Sequence, residues 1–462
     1  MIMKKMYFGL MSLAALAALT SCSSEDTVAQ QKSPAALESE LRFLPAVSAN
    51  MRAITEYSTS TINQDGQEFR MIGTGNFSLL EDASNPAPSV EDVAGAANKI
   101  TAFDCTVSYT GGQWNLANTV VPAGNSIYWA DKTTKAIFKA VAPKDVKEGE
   151  NIILGGVSTE NYAAAADCRT DMKDIIVAYN EGTKKDFTAG VPINFRHVLS
   201  RIKFQAVNKD ASNGMVLEIK AIKLGNVASK ASLTYPTIMT GTGFDWSKYT
   251  PWANASTAQW YYGINGANQT IQSVATAMSD GQDFYLLPQQ LVAADGDALK
   301  AGDKTKQYVS FLIRVYYVGE YVALNPSSGT VSTAVYNAAN TEKNIWPYAK
   351  VATAFTKGDV TFAAGKYVDK TTYDGLSPEE QAKCSFCSAT NEFAWACVPI
   401  DTNWEPGKKY VYTLNYSASG LGMTDPEDGA VPGEDIIPES PVKLWFTVTV
   451  SDWEEVVENK NV

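Results

Sequence analysis

The stretches Arg201–Val207 (RIKFQAV) and Leu217–Leu224 (LEIKAIKL) place an apolar residue at every second position. That two-residue period limits the chain more than any other feature, because only an extended strand sends alternate side chains to opposite faces. The same style recurs in Thr101–Tyr109, Ala136–Ala142 and Asp174–Tyr179, which stop at Gly111-Gly112, Pro143 and Gly182. Lys409–Tyr416 puts Tyr410, Tyr412, Leu414 and Tyr416 on one face. Near the end, Val442, Leu444, Phe446, Val448 and Val450 alternate with Lys443, Trp445, Thr447, Thr449 and Ser451. Tyr308–Val318 is longer and more apolar, as a central strand would be, and the first strand-like run, Leu41–Leu44, is expected to break at Pro45. Helix signals are confined to Val90–Asn98 and Ser377–Lys383, the latter opening with Ser377 as N-cap and Pro378 at the first helical position.

Many short strands separated by turn residues predict an all-β protein built of antiparallel β-sandwiches rather than βαβ units. A chain of 462 residues exceeds what one hydrophobic core serves, so at least two domains are expected. Pro236–Met278 and Gly420–Ser440 are rich in Gly, Asn, Asp and Pro and read as surface loops.

Lys4 and Lys5 introduce an apolar run, Met6–Leu19. At about 14 residues it is shorter than the roughly 20 a spanning helix needs, and it has the layout of a secretory signal peptide. Its end, Leu19-Thr20-Ser21-Cys22, resembles the bacterial lipobox, in which the thiol is acylated and the peptide is cut just before it. Residues 1–21 are therefore read as a lipoprotein signal peptide, Cys22 as the lipidation site and residues 22–40 as a flexible tether. Buried acyl chains contribute about 0.8 kcal/mol per methylene, enough to hold a protein on the outer membrane without a spanning helix.

The net charge of −12 and the absence of clustered Lys and Arg argue against a nucleic-acid partner. Besides Cys22 the chain has Cys105, Cys168, Cys384, Cys387 and Cys397, an odd number for an exported protein, so at least one stays free or pairs between chains. Cys384-Ser-Phe-Cys387 has redox or zinc spacing, but no second pair follows and His197 is the one histidine. A local disulfide or plain buried thiols are the expectation, with no metal and no cofactor. Catalytic residues are not indicated either. His197 sits between two strand-like runs, where a structural hydrogen bond accounts for it. Ser200–Lys203 matches S-x-x-K but enters a strand instead of opening a helix, and Gly73-Thr-Gly75 and Gly241-Thr-Gly243 lack the remaining spacing of phosphate loops. Among the aromatics, Trp260, Tyr261 and Tyr262 are candidate glycan contacts if exposed; core packing is the competing reading.

Several stretches in order resemble the fimbrillin-like family, the lipoprotein pilins of Bacteroides-type bacteria. They are the lipobox at Cys22, Gly111–Trp114, Tyr128-Trp129 before Phe138–Pro143, Asp174–Ala178, Val191–Phe204 (VPINFRHVLSRIKF), Trp404–Asn415 and Phe446–Trp453. The resemblance implies two tandem transthyretin-like β-sandwich domains, 41–198 and 199–462, meeting near His197 to Arg201. It also implies a structural subunit of a surface pilus, delivered on a lipid anchor and joined to other pilin subunits by strand exchange. The strand around Leu41–Val47 would leave with the tether after cleavage at Arg52, with Arg42 as the second candidate. The segment carrying Val442, Leu444, Phe446, Val448 and Val450 would be the donor, although it reads equally as the last strand of its own domain. The long loops leave a tip or accessory role open. The alternative is a permanently anchored surface lipoprotein that binds glycan or a host ligand.

Overall fold

The computed structural model describes residues 40–47, 59–79, 99–117, 127–149, 151–153, 168–170, 172–237, 248–256, 259–278, 283–324, 331–336, 344–387, 392–437 and 444–453. Cys22, Arg52, Val442 and the helix signal at Val90–Asn98 lie outside these residues.

The chain is all-β in class, with a few short helices. Its N-terminal part forms an eight-stranded sheet in the order Phe43–Val47, Val191–His197, Ile176–Gly182, Ala136–Ala142, Glu68–Leu79, Lys99–Thr110, Gln113–Ala117, with Ile127–Trp129 also paired to Glu68–Leu79. All pairs are antiparallel except the first, which is parallel. Alternation supplies the core: Val191, Ile193 and Phe195 point inward together and meet Phe69, Met71, Phe77, Trp129 and Phe138. The aromatic rings interlock, with Phe77 5.1 Å from Phe103 and Trp129 5.7 Å from Phe138. Gly73 makes room for this packing, because a Cβ there would lie 2.2 Å from the Phe103 ring.

The later part forms two facing sheets. One holds Thr276–Ala277, Ser200–Asn208, Lys408–Tyr416 and Trp445–Asp452, with Phe284–Leu286 also on Ser200–Asn208. The other holds Gln259–Ile271, Met215–Val227, Tyr308–Tyr317, Ala394–Pro399 and Met423–Thr424, with Asn344–Trp346 on Tyr308–Tyr317. Ile202, Phe204 and Tyr412 of the first share one core with Leu217, Ile219 and Phe311 of the second. A smaller cluster, Tyr348, Phe355, Phe362 and Val368, organises residues 348–387. There Ser377 caps the helix Pro378–Gln381 and Glu380 returns the hydrogen bond, so the sequence signal is realised as a capping box.

Strand membership changes at Val198-Leu199, where Val191–His197 gives way to Ser200–Asn208. The two parts still touch. Asn151–Ile153 pairs with Lys230–Leu233, and Met172, Ile175 and Val177 belong to the later core.

Three sequence expectations are corrected. Pro45 does not end the first strand, which runs Phe43–Val47, because this strand has its one ladder neighbour along Val191–Phe195 and an edge position tolerates a residue without an N–H. Pro236–Met278 is not a plain loop. It contains the strands Trp252–Ser256 and Gln259–Ile271, and the Gly and Asn residues of the second lie within the strand instead of ending one. Gly420–Ser440 is not a surface excursion either: Leu421, Asp425 and Ile436 are buried.

Cys105, Cys384 and Cys397 are free thiols. Burial pushes the Cys105 thiol up to about 12 and the Cys397 thiol well above its ordinary value. Since the thiolate is the reactive form, alkylation of the native protein at neutral pH should modify the half-buried Cys384 first. Cys105 and Cys397 should react only after unfolding, as read by peptide mass mapping.

Candidate functional site

Residues 40–47 pair with two separate stretches of the N-terminal sheet. Their first part pairs with Ile127–Trp129: Glu40 bridges Tyr128, and the Leu41 N–H donates to the Ile127 carbonyl at 2.8 Å. Their second part, Phe43–Val47, lies parallel to Val191–Phe195, and the Val191 N–H donates to the Arg42 carbonyl at 2.8 Å. One short segment therefore joins two margins of the sheet and closes it into a ring running through Val191–His197, Ile176–Gly182, Ala136–Ala142, Glu68–Leu79 and Ile127–Trp129.

Its side chains alternate as the sequence does. Leu41, Phe43 and Pro45 are buried while Arg42 and Leu44 are exposed, and Phe43 meets the edge of the Phe138 ring at 6.0 Å. Gly190 lets the backbones approach: its φ is +141°, and a Cβ there would stand 3.2 Å from the Arg42 carbonyl and 3.1 Å from Leu44. Burying Leu41 and Phe43 contributes on the order of 3–6 kcal/mol before ordering costs. That is modest for a segment on which a whole ring depends. Arg42, the second cleavage candidate, lies within this ladder, whereas Arg52 falls beyond the described residues.

The C-terminal strand Trp445–Asp452 pairs antiparallel with Lys408–Tyr416 at the margin of its sheet. Leu444 is buried, Phe446 and Val448 are half-buried, and Val450 is 51 % exposed. Phe446 packs on Tyr412 at 5.5 Å, while Thr447, Thr449 and Ser451 face outward. Beside Leu444 and Phe446 a groove of about 740 Å³ opens, walled also by Val398, Pro399 and Met423. The strand finishes in a lock. Trp453 stacks on His197 at 4.2 Å and on Tyr285 at 5.3 Å, and its N–H donates to the Gly407 carbonyl at 2.8 Å. The Arg201 guanidinium lies 6.0 Å from the Trp453 ring and is held by Asp283 through Nε at 2.7 Å.

His197 is the last residue of the strand Val191–His197. It is buried, with Nδ1 2.8 Å from the Asp174 carboxylate and its ring covered by Trp453. The partnership with Trp453 was not legible, since 256 positions of chain separate the two. Trp260, Tyr261 and Tyr262 lie in the strand Gln259–Ile271, with Tyr261 opposite Leu224 and Tyr262 opposite Lys223. Among the described residues no group of His, Cys, Asp and Glu is placed to hold a metal.

Trp453→Ala removes a buried ring stacked on two others. It should lower unfolding stability by about 3–5 kcal/mol and accelerate amide exchange along Trp445–Asp452 more than along Phe43–Val47, as measured by hydrogen–deuterium exchange.

The chain is similar in arrangement to a fimbrial protein from Bacteroides vulgatus, at 13 % identity and a TM-score of 0.42, covering 90 % of this chain and 99 % of that one. It is also similar to candidate cell adhesion proteins from Bacteroides ovatus, at 11 % identity, TM-score 0.34 and 91 % and 99 % coverage, and from Parabacteroides distasonis, at 9 %, 0.36 and 91 % and 99 %. No curated protein matches the chain. A family model described as fimbrillin-like matches residues 92–314, which run from the N-terminal sheet through the junction into the later core. Over those residues the chain is similar to the fimbrillin-like family, in agreement with the resemblance carried by its sequence motifs.

Proposed function

We propose that this chain is a structural subunit of a cell-surface pilus or fimbria, assembled with other pilin subunits by exchange of a strand. Two transthyretin-like domains, 41–198 and 199–462, would form the subunit. A lipid on Cys22 would deliver it to the outer membrane, and cleavage after Arg52 would release the tether together with the first strand.

The observation that carries this reading is the double pairing of residues 40–47. Losing this segment strips partners from Val191–Phe195 and from Ile127–Tyr128 at once. It also uncovers the pocket filled by Leu41 and Phe43. Unpaired strand edges beside an apolar slot are the requirement for β-augmentation: backbone hydrogen bonds supply affinity and alternate side chains supply fit. The donor in this reading is the segment of Val442, Leu444, Phe446, Val448 and Val450 from a neighbouring copy. In the single subunit it is held by Tyr412 and by the Trp453 lock, so donation requires its release from Lys408–Tyr416. The fimbrillin-like match and the presence of fimbrial and candidate adhesion proteins among similar structures fit a pilus or adhesion role.

Treating full-length protein with an arginine-specific protease should give a new N-terminus at Ala53 and ladders that resist sodium dodecyl sulfate. Arg52→Ala should stay monomeric, and so should a chain lacking its final twenty residues. Trimmed protein that never polymerises, or polymer that forms without the C-terminal segment, overturns the exchange. Cells fed a labelled fatty acid should label the protein, and Cys22→Ser should abolish the label.

A further inference from the structure

A second constellation lies in the later core, away from both terminal strands. Lys223 sits mid-strand in Met215–Val227 with its side chain fully buried. Its ammonium lies 2.9 Å from Asp425 Oδ1 and 2.7 Å from Glu427 Oε2. Asp425 is also fully buried, and Glu427 is largely so. The face of Trp395, itself buried, covers the Lys223 ammonium at 4.8 Å. Asp425 is held on both oxygens: the Glu427 N–H donates to Oδ1 at 2.8 Å, and the Ser310 hydroxyl donates to Oδ2. The segment carrying the carboxylates is fixed in turn. Thr424 N–H donates to the Glu434 carbonyl at 2.8 Å, Gly429 N–H to the Asp425 carbonyl at 2.8 Å, and the Trp395 N–H reaches the Asp428 carboxylate at 3.0 Å.

We propose that this site joins Lys223 to Asp425 by an amide bond between Nζ and Cγ, with Glu427 as the catalytic proton carrier. The step is a condensation. Glu427 takes a proton from Nζ, and the freed lone pair attacks Cγ to form the C–N bond. Oδ1 carries the negative charge of the tetrahedral intermediate against the Glu427 N–H. The bond from Cγ to Oδ2 then breaks, and Oδ2 departs as water with the two protons that Nζ has given up, relayed through Glu427 and Ser310. An ammonium and a carboxylate become a neutral amide and water, so charge and electrons balance and no oxidant or co-reactant is needed.

In water this reaction does not proceed, since hydration stabilises both ions and the ammonium has no lone pair. Burial changes the balance, because it penalises separated charges and favours the neutral amine and acids. Holding the three groups in contact also removes the entropic cost of bringing them together. Two opposing influences act on the groups. Burial alone would lower the Lys223 ammonium, but the Asp425 and Glu427 carboxylates outweigh it and keep it above its ordinary value. Burial raises Glu427 to about 7 against the pull of Lys223, which leaves it able both to accept and to return a proton near neutrality. Asp428, also raised by burial, adds negative charge beside Glu427. Asp425 is the acceptor rather than Glu427, because its two oxygens already have the donors that a tetrahedral intermediate requires.

The bond would tie together residues 202 positions apart. It would clamp the central strand Met215–Val227 to the segment just ahead of the C-terminal strand. If the chain is a fibre subunit, as proposed above, tension leaving through that strand would bypass everything between Lys223 and Asp425. The chemistry itself does not depend on the fibre reading.

Tryptic digestion of the denatured full chain tests it. Lys223 in an amide is not cut, so Ala221–Lys230 should appear joined to Tyr410–Lys443, lighter than their sum by one water, with fragment ions placing the link on Lys223 and Asp425. Lys223→Arg keeps the charge but should yield only unlinked peptides, and Glu427→Gln should leave Lys223 open to trypsin. Should either variant fail to fold, the wild-type digest decides alone. Wild-type protein that folds and releases both peptides unlinked overturns the proposal, as does a link that maps to Glu427 or persists in Glu427→Gln.

Discussion

A strand must find a partner for its backbone or leave its donors and acceptors to water, and the N-terminal sheet meets that demand through one eight-residue stretch. Residues 40–47 reach Ile127–Tyr128 on one side and Val191–Phe195 on the other, and the closed ring exists only while they are in place. Their side chains contribute little that is individual. Leu41 and Phe43 fill a slot that other apolar residues of similar size would also fill, and Pro45 offers no N–H at all. The specificity of the joint therefore lies in backbone register and in the narrow approach at Gly190. A joint of that kind is replaceable by another extended segment, because the ladder asks mainly for an alternating apolar pattern.

The strand Val191–His197 connects the two ends of the chain. Along its length it receives Phe43–Val47, and its last residue receives Trp453. His197, Tyr285 and the Arg201–Asp283 pair form the seat for that tryptophan where one sheet gives way to the next. The N-terminal segment and the C-terminal strand are thus anchored at opposite stretches of a single strand and its continuation. A change in the pairing of one lies a short distance along the backbone from the seat of the other, which gives the exchange reading a physical route for linking loss of the first strand to release of the last.

The buried Lys223, Asp425 and Glu427 obey a different constraint. A fully buried ammonium is tolerated when carboxylates surround it and every remaining oxygen is hydrogen-bonded, and the turn around Asp425 provides this through Ser310 and its own backbone. The same density of contacts that makes the charges tolerable also holds the Lys223 ammonium 2.9 Å from Asp425 Oδ1. Whether as ion pair or as amide, the contact fastens Gly420–Ile437 to the six-stranded sheet, so a stretch of loop-like composition becomes interior.

The alternation in Arg201–Val207, Leu217–Leu224 and Lys409–Tyr416 determined the class of fold, because a period of two with one apolar face has no other stable use. Gly111-Gly112 and Pro143 located the ends of Lys99–Thr110 and Ala136–Ala142, and Ser377-Pro378 located a helix, because these signals are local. The motifs that carry the fimbrillin-like resemblance were readable for the same reason. Tertiary structure decided the rest. Pro45 within a strand depends on which side its neighbour lies, the strand in Gln259–Ile271 on the ladder offered by Met215–Val227, and the burial of Asp425 on the lysine that waits for it. The seat of Trp453 on His197 and the double pairing of residues 40–47 join positions far apart in the chain. Such contacts leave no trace in the spacing of either partner, since it is the folded backbone that sets which distant residues meet.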